Sequence, residues 1–188
     1  MEVELEDFEI VDAHRVAKTR HAYVRANYTN RDSNENLFAY HLVGALGERA
    51  FEKQLVSWKV TFDAAYRDPA RDTDGDFIVG GIPIDIKSRS AYSGYGKASY
   101  RLSQRDGLMK KARLIVWTNV FYGPEEWDSD EPGEPPTYCR VWLFTWSTAE
   151  FVLEGTPDER SLTPTSTYPL TTLLARLVKA IPSSSDPE

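Results

Sequence analysis

The sequence predicts an α/β protein, a mixed sheet flanked by helices, and three observations predict it. Two stretches, about 9–27 and 34–57, place apolar residues at helical spacing. Shorter runs rich in β-branched and aromatic residues, at 77–87, 114–121 and 138–146, read as strands. Helical and extended segments alternate along the chain, which favours helices packed on a sheet. With 41% apolar residues and 12% aromatics among 188, one domain with a substantial core is expected.

In chain order, Ile10, Val11, Ala13, Val16, Ala17, Ala22, Tyr23 and Val24 give the first helix its apolar positions, with basic residues between them. The turn-rich segment from Asn27 to Asn34 ends it, and Ser33 or Asn34 suits the cap of the second helix. Trp58 to Phe62 is expected to be a short strand, and Asp63 to Asp74 a polar loop. Phe77-Ile78-Val79, Gly80-Gly81 and Ile82 to Lys87 read as a hairpin with a two-glycine turn. A Ser/Gly/Tyr loop (88–99), a basic helix (about 99–112) and a strand (114–121) follow. Residues 122–137 form an acidic, proline-rich loop, 138–146 a strand, 147–168 an irregular stretch and 169–181 a terminal helix with Pro169 near its start. The five tryptophans fall mostly on expected strands and read as core.

Charge and composition narrow the function classes. No apolar run reaches membrane-spanning length, and the acidic N-terminus is unlike a signal peptide, so no membrane association is expected. Cys139 is the only cysteine, which excludes an internal disulfide and a cysteine zinc cage and suits a reducing cytoplasm. His14, His21 and His41 are too scattered for a zinc motif. The formal charge is −7, yet eight Lys/Arg against the single acid Asp106 between residues 87 and 113 give that stretch +7, leaving about −14 elsewhere. A second basic stretch, Ala13 to Arg31, holds no acid. Basic zones in an acidic chain attract phosphates over roughly a Debye length of 8–10 Å; solvated helix faces are the alternative.

The candidate site begins at Asp85-Ile86-Lys87. A two-residue turn at Gly80-Gly81 pairs Val79 with Ile82, Ile78 with Pro83, Phe77 with Ile84 and Asp76 with Asp85. Phe77, Val79, Ile82, Ile84 and Ile86 then share the core face, and Asp76, Asp85 and Lys87 the other, with Asp74 opposite Lys87. Directly opposed acids, with Cβ atoms about 4.5–5.5 Å apart, need a cation or a shared proton. Mg²⁺ takes such oxygen donors and suits phosphate chemistry. Plain surface acids, ion-paired with Lys87 and its basic neighbours, are the alternative. On the second helix, Gly44, Glu48, Phe51 and Leu55 form one small or apolar stripe, with Gly47 beside it. Helix-interior glycines cost about 1 kcal/mol each relative to Ala and signal close packing. A glutamate on that stripe must find a partner, and Arg49 or Lys53 are the nearby candidates.

Gly44-Ala45-Leu46-Gly47-Glu48-Arg49-Ala50, Asp76 to Gly81 and Ile84 to Ser88 together resemble the PD-(D/E)XK nuclease superfamily, whose pattern is a helix glutamate, an aspartate, then Asp/Glu-x-Lys after a short strand turn. The resemblance covers about 35–120. It departs in having Gly75 rather than Pro before Asp76, and Gln104 followed by Leu108 rather than Tyr, which does not support the exonuclease-type branch. It implies a restriction-endonuclease-like αβββαβ core and a Mg²⁺-dependent nuclease, with Mn²⁺ as substitute, hydrolysing DNA phosphodiester bonds as an endonuclease. A catalytically inactive nuclease-fold module that binds nucleic acid or a protein is the alternative. Asp76 and Asp85 would hold the metal with the Ile86 carbonyl, Glu48 completing the set directly or through water, and Lys87 would orient or activate the attacking water. DNA contacts are expected from Arg89, Tyr92, Tyr95, Lys97, Arg101, Gln104, Arg105, Lys110 and Lys111. Double-stranded or branched DNA is the implied partner, a homodimer the implied assembly, and the cytoplasm, a host's if the source is viral, the implied compartment.

Overall fold

Strand β1 (Glu2–Leu5) leads into helix α1 (Asp7–Asn27), followed by α2 (Phe38–Ser57). A single 3-10 turn, Ala65–Arg67, precedes the hairpin of β2 (Phe77–Val79) and β3 (Ile82–Ser90). The one-turn helix α3 (Ala91–Gly94), β4 (Tyr100–Arg101), β5 (Leu114–Gly123) and β6 (Tyr138–Thr148) come next. Helix α4 (Ala149–Leu153), the short strands β7 (Thr156–Pro157), β8 (Ser161–Thr163) and β9 (Tyr168–Pro169), a 3-10 turn at Leu170–Thr172 and helix α5 (Leu173–Ala180) complete it. This computed structural model describes residues 1–27, 38–70, 75–94, 96–101, 107–108, 112–123, 132–157 and 161–180.

The main sheet runs β1-β6-β5-β3-β2, with β9 beside β6. Among the described strands of this sheet β3 and β5 pair in parallel and the other pairs are antiparallel, so the sheet is mixed. Helices α1, α2 and α5 cover one face and share its core with Phe77, Ile84, Ile86, Val116 and Leu143. The opposite face carries a second core around Tyr100, Leu108, Ile115, Trp117 and Leu162, roofed by a small sheet in the order β4-β8-β7 and by α4. The protein is therefore a mixed α/β fold with a helix-flanked sheet, as its sequence predicts.

Local chemistry explains the elements that frame the cleft. Gly80 and Gly81 have φ of 55° and 77°, the two positive values that a type I′ turn requires. The hairpin register is the expected one from Phe77↔Ile84 to Val79↔Ile82. Helix α2 lies directly on β3 and β5: a Cβ at Gly47 would collide with Ser88 Oγ and sit 2.8 Å from Thr118 Oγ1. At the start of α1, Glu9 Oε2 accepts from the Glu6 N–H at 2.9 Å, the return half of a capping box.

Several expectations fail for physical reasons. Residues 58–62 form no strand. Val60 N–H donates to Leu55 O at 3.1 Å and Lys59 N–H to Val56 O at 2.9 Å, with Lys59 at φ 57°. These are the two bonds of a Schellman motif, so Trp58 to Val60 terminate α2 and only Asp63 bridges to β2, at Ile78. Strand β3 runs on to Ser90, into the expected loop, and Tyr100–Arg101 are a strand rather than the start of a basic helix. Most of that helix lies outside the described residues; Ala112 N–H to Leu108 O, 2.9 Å, is its one helical bond among them. The stretch 147–168 is not irregular but holds α4 and three short strands. Strand β1 was not expected. Ser33, Asn34, Asp74 and Trp127 lie outside the described residues. Trp117 and Trp146 are buried, whereas Trp58 and Trp142 are half-buried. No described helix is long and apolar enough to cross a membrane.

Candidate active site

Strand β2 is three residues long and its partner β3 is nine, so the outer edge of β3 runs uncovered by β2 from Asp85 onward. A cleft of about 670 Å³ opens around this edge. On the helix side it is lined by Arg20 of α1 and Tyr40, Gly44 and Glu48 of α2. On the other side lie Lys97, Ser99, Arg101 and Trp117, and along the edge Asp76, Asp85, Ile86, Lys87 and Arg89.

Asp76 stands where the hairpin ladder stops. Its own carbonyl accepts from Tyr66 N–H at 3.0 Å, and its Oδ2 accepts from Ile86 N–H at 2.7 Å, carrying the ladder on by a side chain. A strand residue in a hydrogen-bonding position directs its N–H and C=O to the same edge, so the Ile86 carbonyl faces the cleft beside Asp76. Burial, then the charges of Glu48 and Asp85, push the Asp76 carboxyl well above its usual range; Lys87 and the Ile86 N–H oppose this and do not prevail.

Asp85 pairs with the lysine two residues on, Lys87 Nζ lying 2.8 Å from Oδ2 and 3.1 Å from Oδ1. The ammonium also sits 5.1 Å from the Tyr100 ring centroid, a cation–π contact supplied by β4. Burial alone would lower the Lys87 pKa, but Asp85, Tyr100 and Asp76 outweigh it and raise it above the ordinary value. Lys87 is therefore an ammonium at neutral pH. Burial, against the opposing Lys87 charge, moves the Tyr100 hydroxyl up to about 12.

Glu48, 3% exposed, does not pair with Arg49 or Lys53. Its partner is Arg20 of α1, whose Nη1 and Nη2 donate to Oε1 at 3.1 Å and Oε2 at 2.8 Å, with Nη2 also donating to Tyr66 O at 3.0 Å. Burial opposes the Arg20 charge, but Glu48, by charge and hydrogen bond, and then Asp76 raise its pKa. In the sequence Arg20 reads only as part of a basic face. A sharper signal is present: Ala13, Ala17 and Val24 are buried on the same stripe of α1, so Arg20 is a charge on an apolar stripe, as Glu48 is on α2.

The fold thus brings Glu48, Asp76, Asp85, Ile86 and Lys87 to one cleft. Of the expected DNA contacts, Arg89, Lys97 and Arg101 line it, Arg89 donating to Ser99 Oγ at 2.7 Å. Tyr92 is exposed and packs edge-on against Phe121, away from the lining. Tyr95, Gln104, Arg105, Lys110 and Lys111 lie outside the described residues. The scattered histidines do meet, His14 and His21 each contacting the Phe38 ring and His21 contacting His41, by edge-to-face packing.

Among the described residues no three His, Cys, Asp or Glu side chains form a metal-ligand group. The donors that fit a hard divalent cation are two carboxylates, Asp76 and Asp85, and the Ile86 carbonyl, all oxygen and all on one edge. Asp76 is the acid whose charge its surroundings leave uncompensated. Comparison with protein-family models, with curated proteins and with solved structures finds no significant match to this chain.

Proposed function

We propose that this protein is a Mg²⁺-dependent nuclease of the PD-(D/E)XK type, built on a restriction-endonuclease-like core, that hydrolyses phosphodiester bonds in DNA as an endonuclease. What supports the reading above all is the uncovered edge of β3, where Asp76, Asp85 and Lys87 meet Glu48 in a cleft that also carries Arg20, Arg89, Lys97 and Arg101. Five cations against three acids suit an anionic ligand.

Asp76, Asp85 and the Ile86 carbonyl would hold Mg²⁺, or Mn²⁺ in its place. When bound, such an ion supplies a more acidic water and a positive charge at the phosphate. Lys87, kept protonated by Asp85, acts as a hydrogen-bond donor and not as a base. It orients the attacking water and places positive charge where the phosphorane-like oxygens become more negative. Arg89, Lys97 and Arg101 hold the flanking phosphates, a largely electrostatic contribution that weakens with salt.

Cleavage of linear, circular, single-stranded and branched DNA, with Mg²⁺ and with EDTA, tests this. Asp85→Ala and Lys87→Ala each lower the rate by about a hundredfold or more, the scale on which loss of a preorganised charge acts. Unchanged cleavage in both variants would overturn the site. A second reading, a nuclease-fold module that binds DNA without cutting it, draws on the capture of both Glu48 oxygens by Arg20. It expects salt-sensitive DNA binding with no Mn²⁺ uptake.

A further inference from the structure

Both oxygens of Glu48 are taken by one guanidinium. Arg20 reaches Oε1 at 3.1 Å and Oε2 at 2.8 Å in a two-pronged, charge-assisted pair, and a third bond to Tyr66 O fixes the fork in place. The seat is built for it: a Cβ added at Gly44 would lie 3.3 Å from Arg20 Nη1, so a helix-interior glycine leaves the room through which the side chain passes. Arg20 also faces Asp76 electrostatically, so its charge acts on two of the three acids.

Counting charge shows what this leaves. With Asp76 ionised, as metal binding requires, the three carboxylates Glu48, Asp76 and Asp85 have two cations paired directly with them among the described residues, Arg20 and Lys87, a net of one negative charge for that inner group. One divalent ion turns that into one positive charge, which the single negative charge of a phosphodiester neutralises. A second divalent ion would leave two positive charges uncompensated and would have to displace a half-buried arginine from a buried glutamate, its only carboxylate among the described residues.

We infer that the site takes a single divalent cation, on Asp76 and Asp85, and that Arg20 stands in place of a second one by holding Glu48 out of the ligand set. This rests on the nuclease reading above. Arg20 is then a positioning residue that sets metal stoichiometry, and Glu48 acts through it.

Calorimetric titration of the whole chain with Mn²⁺, with sites counted independently by electron paramagnetic resonance, tests the inference. Wild-type protein is expected to bind one Mn²⁺ per chain. Arg20→Gln, which removes the charge and frees Glu48, is expected to bind two, the second at least tenfold more weakly. Arg20→Lys, which restores the charge, returns the count to one. Two ions on the wild-type chain overturn the inference and leave the metal site standing. One ion on a folded Arg20→Gln variant, checked by near-ultraviolet circular dichroism, overturns the role of Arg20. No uptake by wild type removes the metal-dependent reading itself, and this inference with it. The wild-type count decides between one ion and two even where the Arg20→Gln chain does not fold.

Discussion

Two ionic clusters meet helix α2, and they are built to opposite ends. Toward β1, Glu6, Glu9, Asp12 and Glu52 are answered by Arg15, Arg49, Lys53 and Arg67: four acids and four bases, each acid with a base within 3.5 Å. Toward the edge of β3 beyond β2, Glu48, Asp76 and Asp85 are paired directly, among the described residues, with Arg20 and Lys87 alone. Tyr66 joins them, its hydroxyl on Glu52 and its carbonyl on Arg20. In the first cluster burial would raise Asp12 and Glu52, but Arg15 and Arg67 on the one, and Tyr66, Arg67 and Arg49 on the other, hold both below their usual range. In the second, burial and two neighbouring acids drive Asp76 the other way. A compensated cluster fixes α1, α2 and the Ala65–Arg67 turn against one another. An uncompensated one is a place where stability has been given up, which is where binding sites are found.

The largest effect expected from breaking the compensated cluster is at Glu52, whose Oε2 accepts from Tyr66, Arg67 and Arg49 together. Glu52→Ala strands three donors at once. It is expected to cost about 3 kcal/mol in denaturant unfolding, the low end for a broken buried pair because Arg67 keeps water contact. A loss below about 1 kcal/mol, the value of an ordinary surface pair, would mean the cluster is not structural.

The second contrast is one of sign. Glu52 and Asp12 sit below their ordinary values of 4.5 and 3.8, so their stabilisation is present above those values and is lost as pH falls through the folded pKa. Asp76 is raised above 3.8, so without metal the folded state holds a proton that the unfolded chain releases, and stability declines as pH rises from about that value through the folded pKa. Asp76→Asn keeps an acceptor for Ile86 N–H and removes the penalty. In EDTA at pH 7 it is expected to melt above wild type, with the gap closing toward pH 4, while Mn²⁺ uptake is lost. A lower Tm at pH 7 would show that Asp76 is compensated after all.

How much of this could be read from sequence follows from how far each signal reaches along the chain. Asp76, Asp85 and Lys87 lie in a hairpin whose turn and period are local, and Glu48 interrupts a helix stripe four residues from Gly44, so each stands out in the sequence, and the fold places all four on one cleft. Arg20 is 28 residues from Glu48, and no local period couples two helices. The strand expected at 58–62 shows the reverse error. Trp58, Val60 and Phe62 alternate, yet Val60 is the residue after a left-handed Lys59, and its burial beside Leu55 closes the helix rather than opening a strand. In β1, Glu2, Val3, Glu4 and Leu5 alternate exposed and buried, a pattern hidden by the acidity of the segment. The small sheet, with strands of two or three residues, is too short for any periodicity to detect.

The smallest expected effect separates the interior of the compensated cluster from its rim. Arg15 reaches Asp12 Oδ1 at 2.8 Å, a distance no worse than that of Arg67 to Oδ2, but Arg15 is 71% exposed and Arg67 32%. Equal geometry with unequal burial tests which of the two sets the energy. An exposed pair three residues apart on a helix contributes no more than about 0.5 kcal/mol, because water screens it and the long side chain loses entropy. Arg15→Ala is therefore expected to stay within about 0.5 kcal/mol of wild type in the same unfolding measurement, and to fall to nothing measurable in 1 M salt. Asp12 would lose the part of its pKa depression that Arg15 supplies and keep the part that Arg67 supplies, observable by NMR titration of its carboxyl carbon. If instead Arg15→Ala cost as much as Glu52→Ala, the cluster would draw its strength from bond geometry alone, and the contrast with the cleft would rest on burial no longer.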